Sequence, residues 1–311
     1  MADYLVTGVG GFIGAAVAAA LLKDGHRVVG IDNLSTGYAA NVPAGVEFFK
    51  ADCQDAALYP TLPAYNYAAI FHIAGQSSGE ISFDDPAYDL RTNAESTLHL
   101  LKFALARNCK RLIYASTMSV YGMQPDAPVR EDAPLLPQSF YGVGKIASEH
   151  YLRLYEQYGV HSTALRLFNV YGPGQNMANL RQGMVSIFMA MMLGDNHIHI
   201  KGAPERYRDF VFIDDVVNAF LLCLNRPAAH GEVLNIGGSG KVTVGTLVEQ
   251  MTALHDRPVS VKFEGSTAGD IMGIYADGSK AAKVLGYSAK TSLPAGLEIM
   301  YRWARNCPKA D

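Results

Sequence analysis

The chain has 311 residues, of which 49% are hydrophobic and 18% charged, with a formal net charge of −3. That balance describes a globular chain with a filled core and excludes a disordered one. So small a net charge, with no Lys/Arg run, also argues against a nucleic-acid or anionic-membrane partner.

The first strand is expected at 4–7 (YLVT), with no basic stretch before it. The longest apolar run, GFIGAAVAAALL at 11–22, is too short to span a bilayer and has no cleavage-site context. Cys53, Cys109, Cys223 and Cys307 lie too far apart for a zinc or redox pair, so reduced thiols, no metal and a cytoplasmic location are expected.

Between that strand and a helix over 12–24 lies VTGVGGFIG (6–14). Gly8 permits a tight turn, Gly11 lets backbone approach a pyrophosphate, and Gly14 lets the helix sit close to the sheet. Phe12 and Ile13 open the helix, whose N-terminus offers N–H groups and a positive dipole. The second strand, 27–31, ends beside Asp32, an acceptor for ribose hydroxyls that repels a 2′-phosphate. No Arg or Lys occurs in 33–41, which supplies Asn33, Ser35, Thr36 and Gly37. NAD is therefore expected rather than NADP. After the third strand, 46–49, Asp52 and Cys53 are placed at the adenine. After the fourth, 69–74, Ile73, Ala74 and Gly75 are placed along the cofactor. The loop 76–86, with Gln76, Ser77, Ser78 and Glu80, reads by itself as a solvated loop.

A helix over 87–107 and a strand over 111–116 lead to STMSVYG (116–122). Thr117 and Ser119 stand where open α/β sheets run their chemistry, although a strand-end hydroxyl also caps local backbone. In the next helix, 141–158, Tyr141 and Lys145 are one turn apart on one face. A tyrosine at pKa about 10 is a poor base at neutral pH unless a cation favours its phenolate. An ammonium one turn away meets that need.

Strands over 162–168 and 233–237 and a helix over 214–225 complete an alternation of strand and helix. It predicts a doubly wound parallel sheet covered on both faces. We expect residues 1–170, with 211–237 returning, to form the cofactor domain. Residues 171–210 and 238–311 are expected to form a smaller substrate lobe. HIHI (197–200) predicts a strand with one polar face, MVSIFMAMML (184–193) an apolar helix, and Asp214–Asp215 a helix cap and start.

Taken in order, GxxGFIG (8–14), DNL (32–34), HIAG (72–75), Asn93, STxxVYG (116–122), YGVGK (141–145), RLFNVYGPG (166–174), RDFVFIDD (208–215) and NIG (235–237) resemble the extended short-chain dehydrogenase/reductase family. The resemblance is to its nucleotide-sugar epimerase/dehydratase branch. It implies a triad of Thr117, Tyr141 and Lys145, with Asn93 in support beside the cofactor. It also implies a nucleotide-diphosphate sugar as substrate, contacted by Asn169 and Arg208 and faced by Gln76, Ser77, Ser78 and Glu80 of the 76–86 loop, and a homodimer formed through the helices at 87–107 and 141–158. The family's 4,6-dehydratases carry Asp–Glu after the catalytic threonine. Here Met118 and Ser119 stand instead, so a 4-epimerase passing through a 4-keto sugar is expected. A dehydratase, a keto-sugar reductase and a non-catalytic NAD-sensing protein are the alternatives. The family's late R-x-G-D is here TAGD (267–270): Thr267 replaces its arginine, Asp270 stays among the substrate contacts, and Arg181 or Arg206 is the candidate substitute.

Overall fold

The computed structural model describes residues 1–265 and 271–307. The strands are β1 Asp3–Thr7, β2 Arg27–Asp32, β3 Glu47–Lys50, β4 Tyr67–His72, β5 Arg111–Thr117, β6 His161–Leu167, β7 Asn169–Tyr171, β8 His197–Lys201, β9 Tyr207–Arg208, β10 Phe210–Phe212, β11 Glu232–Ile236, β12 Val242–Thr243 and β13 Ser260–Glu264. The helices are α1 Phe12–Lys23, α2 Pro86–Leu90, α3 Ser96–Ala106, α4 Phe140–Tyr155, α5 Met184–Asp195, α6 Ile213–Leu222, α7 Val244–Thr252, α8 Ser279–Leu285 and α9 Leu293–Arg305.

The main sheet has seven parallel strands in the order β3-β2-β1-β4-β5-β6-β11. This is the doubly wound sheet that the alternation predicted. Its interior strands are buried on both faces; every residue of β5 is buried. One face packs Val17, Leu21, Val216 and Phe220 of α1 and α6. The other packs Leu100, Leu101, Phe103 and Leu152 of α3 and α4. The strand order reverses between β1 and β4, the position where such sheets open a crevice for a ligand.

A separate core joins α5, α7 and α9 to the short pairs β7–β10 and β8–β13, through Phe188, Met189, Met192, Leu247, Leu297 and Met300. In β8, Ile198 and Ile200 point into this core while His197 and His199 face outward, as the alternation predicted. Residues 184–193 form the predicted apolar helix within α5.

Two expectations are corrected. Residues 87–107 are not one regular helix: α2 and α3 are joined by a wide turn over Arg91–Glu95. Thr92, Ser96 and Thr97 there spend their hydroxyls on carbonyls one turn earlier, which competes with regular helical bonding. Asp214 and Asp215 stand in the first turn of α6, as expected, but do not cap it. Phe212 occupies the cap, and Asp215 accepts instead from the Lys290 and Thr291 amides.

Candidate active site

A cavity of about 590 Å³ runs from the Gly8–Gly14 loop, past the carboxyl ends of β1, β4 and β5, to α4 and α5. The loop geometry explains its glycines. Gly8 has φ +76°, and a Cβ there would come within 2.9 Å of the Ala74 amide nitrogen. A Cβ on Gly14 would meet the Gly8 carbonyl at 2.0 Å. Gly11 occupies the N-cap of α1 and brings no side-chain cap, so the helix's first amides remain available to an anion. Asp32 holds the loop from outside, accepting from the Gly10 and Leu34 amides at 2.9 and 2.7 Å. Asp52 accepts from the Asn33 side chain at 2.7 Å. Phe12, Ile13, Ser35, Thr36, Gly37, Cys53, Ile73 and Gly75 complete this half of the wall. Among the described residues lining the cavity, Lys145 is the cation. A dinucleotide without a 2′-phosphate fits such a lining.

At the other end, Thr117, Tyr141 and Lys145 converge. Thr117 closes β5. Its hydroxyl accepts from the Ser119 amide at 3.1 Å, so it caps local backbone and also faces the cavity. Ser139 caps α4 through the Gly142 amide, which fixes the turn that carries Tyr141. Lys145 Nζ donates to the Ala115 carbonyl at 2.9 Å and lies 5.7 Å from the Tyr141 ring centre and 4.7 Å from that of Tyr114. Burial pushes the Tyr141 phenol up to about 12, against the pull of its hydrogen bond with Thr117. Burial pulls the Lys145 ammonium down to about 8, against Asp89 and Glu149, which support its charge.

A second cavity of about 390 Å³ meets the first at Gly79, Met118, Ser119 and Met184. Leu180, Ile187, Phe188 and Met191 make an apolar wall, and His199, Lys201, Arg206 and Arg208 a basic one. Arg208 is buried, and burial first, then the charge of Arg206, pulls it down to about 10. The two guanidinium groups are therefore close neighbours in one cavity.

Gln76, Ser77, Ser119 and Asn169 line the first cavity, and the Asn169 side-chain amide donates to the Asp209 carbonyl at 3.0 Å. Two of the expected site residues stand behind the lining. Ser78 is turned out of the wall, bonded through its amide to Gln76 and through its hydroxyl to the Arg181 carbonyl. Asn93 is fully buried behind the wall, beside Gly75, and donates to the Gln76 carbonyl at 3.0 Å, a supporting position. Thr267 and Asp270 lie outside the described residues. Sequence reasoning missed Tyr88, Thr92, Asn179 and Gln182 in the first cavity and the apolar wall of the second. Their positions follow from the approach of the 76–92 and 175–191 segments, joined by Arg181 with Asp84 at 2.9 Å, which no local motif signals.

The family model for NAD dependent epimerase/dehydratase proteins matches residues 4–237. The chain belongs to the NAD dependent epimerase/dehydratase family. The cofactor of this family member is NAD. A UDP-glucose 4-epimerase of Mycolicibacterium smegmatis is 35% identical over 309 residues, covering 97% of this chain and 98% of that one. The crystal structure of a Thermotoga maritima UDP-glucose 4-epimerase with UDP-glucose has a TM-score of 0.91 and 34% identity, covering 97% of this chain and 98% of that one. That of a Bacillus cereus UDP-glucuronic acid 4-epimerase, with UDP-glucuronic acid and NAD, has a TM-score of 0.88 and 29% identity, covering 97% and 99%.

Proposed function

We propose that this NAD-dependent epimerase-family protein is a UDP-hexose 4-epimerase. The observation that carries the reading is the meeting of Thr117, Tyr141 and Lys145 at the junction of the two cavities, with Met118 and Ser119 beside them. The carboxylates lining the larger cavity, Asp32 and Asp52, are engaged at the glycine-loop end. A thioether and a neutral hydroxyl next to the triad supply no acid–base pair for loss of water, which favours epimerisation over dehydration. The similarity to UDP-sugar 4-epimerases along nearly the whole chain supports the same choice.

Bound NAD supplies a hydride acceptor and donor at the sugar's fourth carbon. The chain's own residues handle position and protons. Tyr141 takes the proton of the 4-hydroxyl and later returns it, and Thr117 hydrogen-bonds the same oxygen. The Lys145 ammonium favours the phenolate. The apolar wall of the second cavity receives the nucleoside and its basic wall the diphosphate. Residues 1–170 and 211–237 make the cofactor domain in this reading, and the remaining segments the substrate lobe. The test is mass spectrometry with NMR on a panel of UDP-, dTDP-, CDP- and GDP-sugars, without added NADH. Unchanged mass with an inverted C4 coupling is expected; loss of water, or a requirement for added NADH, would overturn the reading.

Arg206 and Arg208 share the charge of the diphosphate in this scheme. Replacing Arg206 by Gln is expected to raise KM for the UDP-sugar by roughly tenfold, a loss of 1.4 kcal/mol, with kcat little changed. Steady-state kinetics decide it, and an unchanged KM would remove Arg206 from the binding set. We further propose a homodimer joined through α3 and α4, where Leu105 is 39% and Leu154 58% exposed. A dimer is expected by sedimentation at micromolar concentration, and Leu154→Glu is expected to weaken it.

A further inference from the structure

Asp89 is a buried carboxylate with no part in the scheme above. It lies on α2 with 1% of its surface exposed. One oxygen accepts from the Gln76 side-chain amide at 2.8 Å. The other is buried, with the Asn93 side chain beside it. That second oxygen faces α4: a Cβ added to Gly144, the residue before Lys145, would sit 3.4 Å from it. An ionised carboxylate this dry is sustained only by nearby positive charge and donors.

We propose that Asp89 is a positioning residue, whose carboxylate holds Gln76 in the wall of the site and sets the charge against which the Tyr141–Lys145 pair works. The proposal rests on the reading of that pair as the proton-handling groups.

The titratable surroundings give the effect a sign. Lys145 faces Tyr141 and Glu149 on its own helix, Tyr114 on β5, His72 on β4 and Asp89 on α2. Burial and the Lys145 charge keep His72 neutral, with its pKa lowered to about 3. Burial raises Tyr114 out of the working range. The anions near Lys145 are then Asp89 and Glu149, and only Asp89 also opposes ionisation of Tyr141. Removing the Asp89 charge lets Tyr141 ionise at lower pH and lets Lys145 lose its proton at lower pH. Both limbs of the pH–rate profile move in the same direction.

The experiment uses the NAD-loaded full chain and compares wild type with Asp89→Asn across the neutral and alkaline range. Thermal midpoint and retained NAD serve as folding controls. We expect the whole bell to move to lower pH by roughly one unit, the scale of a single nearby charge. A fall in kcat with both limbs unmoved would reduce Asp89 to packing and overturn the proposal. Asp89→Ser is expected to give the same displacement. If neither variant folds with NAD bound, the carboxylate is a requirement of the fold and the proposal fails. None of these outcomes touches the epimerase assignment, which falls instead if the wild-type protein does not invert C4.

Discussion

Tyr141→Phe is expected to lower kcat by roughly 10²- to 10⁴-fold, the usual contribution of a positioned acid–base group, while NAD stays bound. The substitution removes one oxygen and keeps the ring that packs 5.7 Å from the Lys145 nitrogen. The cofactor cradle is made by the glycine loop and Asp32 at the far end of the cavity, so it is untouched. Turnover and the absorbance of bound cofactor read the two effects separately. Near-normal turnover would end the assignment of Tyr141 as the proton-handling group. The wild-type pH profile carries the same logic. Lys145, held down to about 8, loses its charge as pH rises through that value, so activity is expected to fall on the alkaline side. Burial first, with the charge of Asp89 behind it, holds the Tyr141 phenol near 12, which makes that ammonium and the charge of bound cofactor necessary rather than incidental.

The sheet was legible because buried parallel strands are written as short runs of Val, Ile, Leu and Phe. Runs such as RLIYAS at 111–116 have no polar side to confuse them. The glycine loop was legible because its glycines are demanded by contacts only a few residues away. Tyr141 and Lys145 needed only the helical repeat. What the chain hides is set by packing between distant segments. Asn93 and Ser78 look like any polar residues near a site, and only the folded loop shows one buried behind the wall and the other turned from it. Asp89 reads as a helix first-turn acid in PAYDL; its burial comes from α4 lying against α2. Only Arg208 and the turn at 118–122 bring motif residues to the second cavity; its apolar wall comes from 180–191 and the rest of its basic wall from 199–206.

Arg166→Met is expected to be the most destabilising single change near the site. Arg166 on β6 grips Glu149 through two bonds, at 3.0 and 2.7 Å, with both side chains nearly fully buried. Burial works against the guanidinium, but the bonds and charge of Glu149 outweigh it and its pKa is raised overall. The same arginine donates to Tyr121, which donates to Asn235 on β11 at 2.6 Å. Glu149 also accepts from Ser116, the neighbour of Thr117, and it lies one turn beyond Lys145 on α4. Removing Arg166 strands a buried carboxylate, at a cost of about 3–5 kcal/mol. That lowers the melting midpoint by on the order of 10 °C. Because Ser116 and α4 carry Thr117, Tyr141 and Lys145, kcat should fall with it. Replacing both partners, as Arg166→Met with Glu149→Leu, should recover most of the stability, since no charge is then left unpaired. Calorimetry on the two variants separates these outcomes. A double variant no more stable than the single one would mean that the network's neutral members, Ser116, Tyr121 and Asn235, hold this corner of the sheet more than the ion pair does.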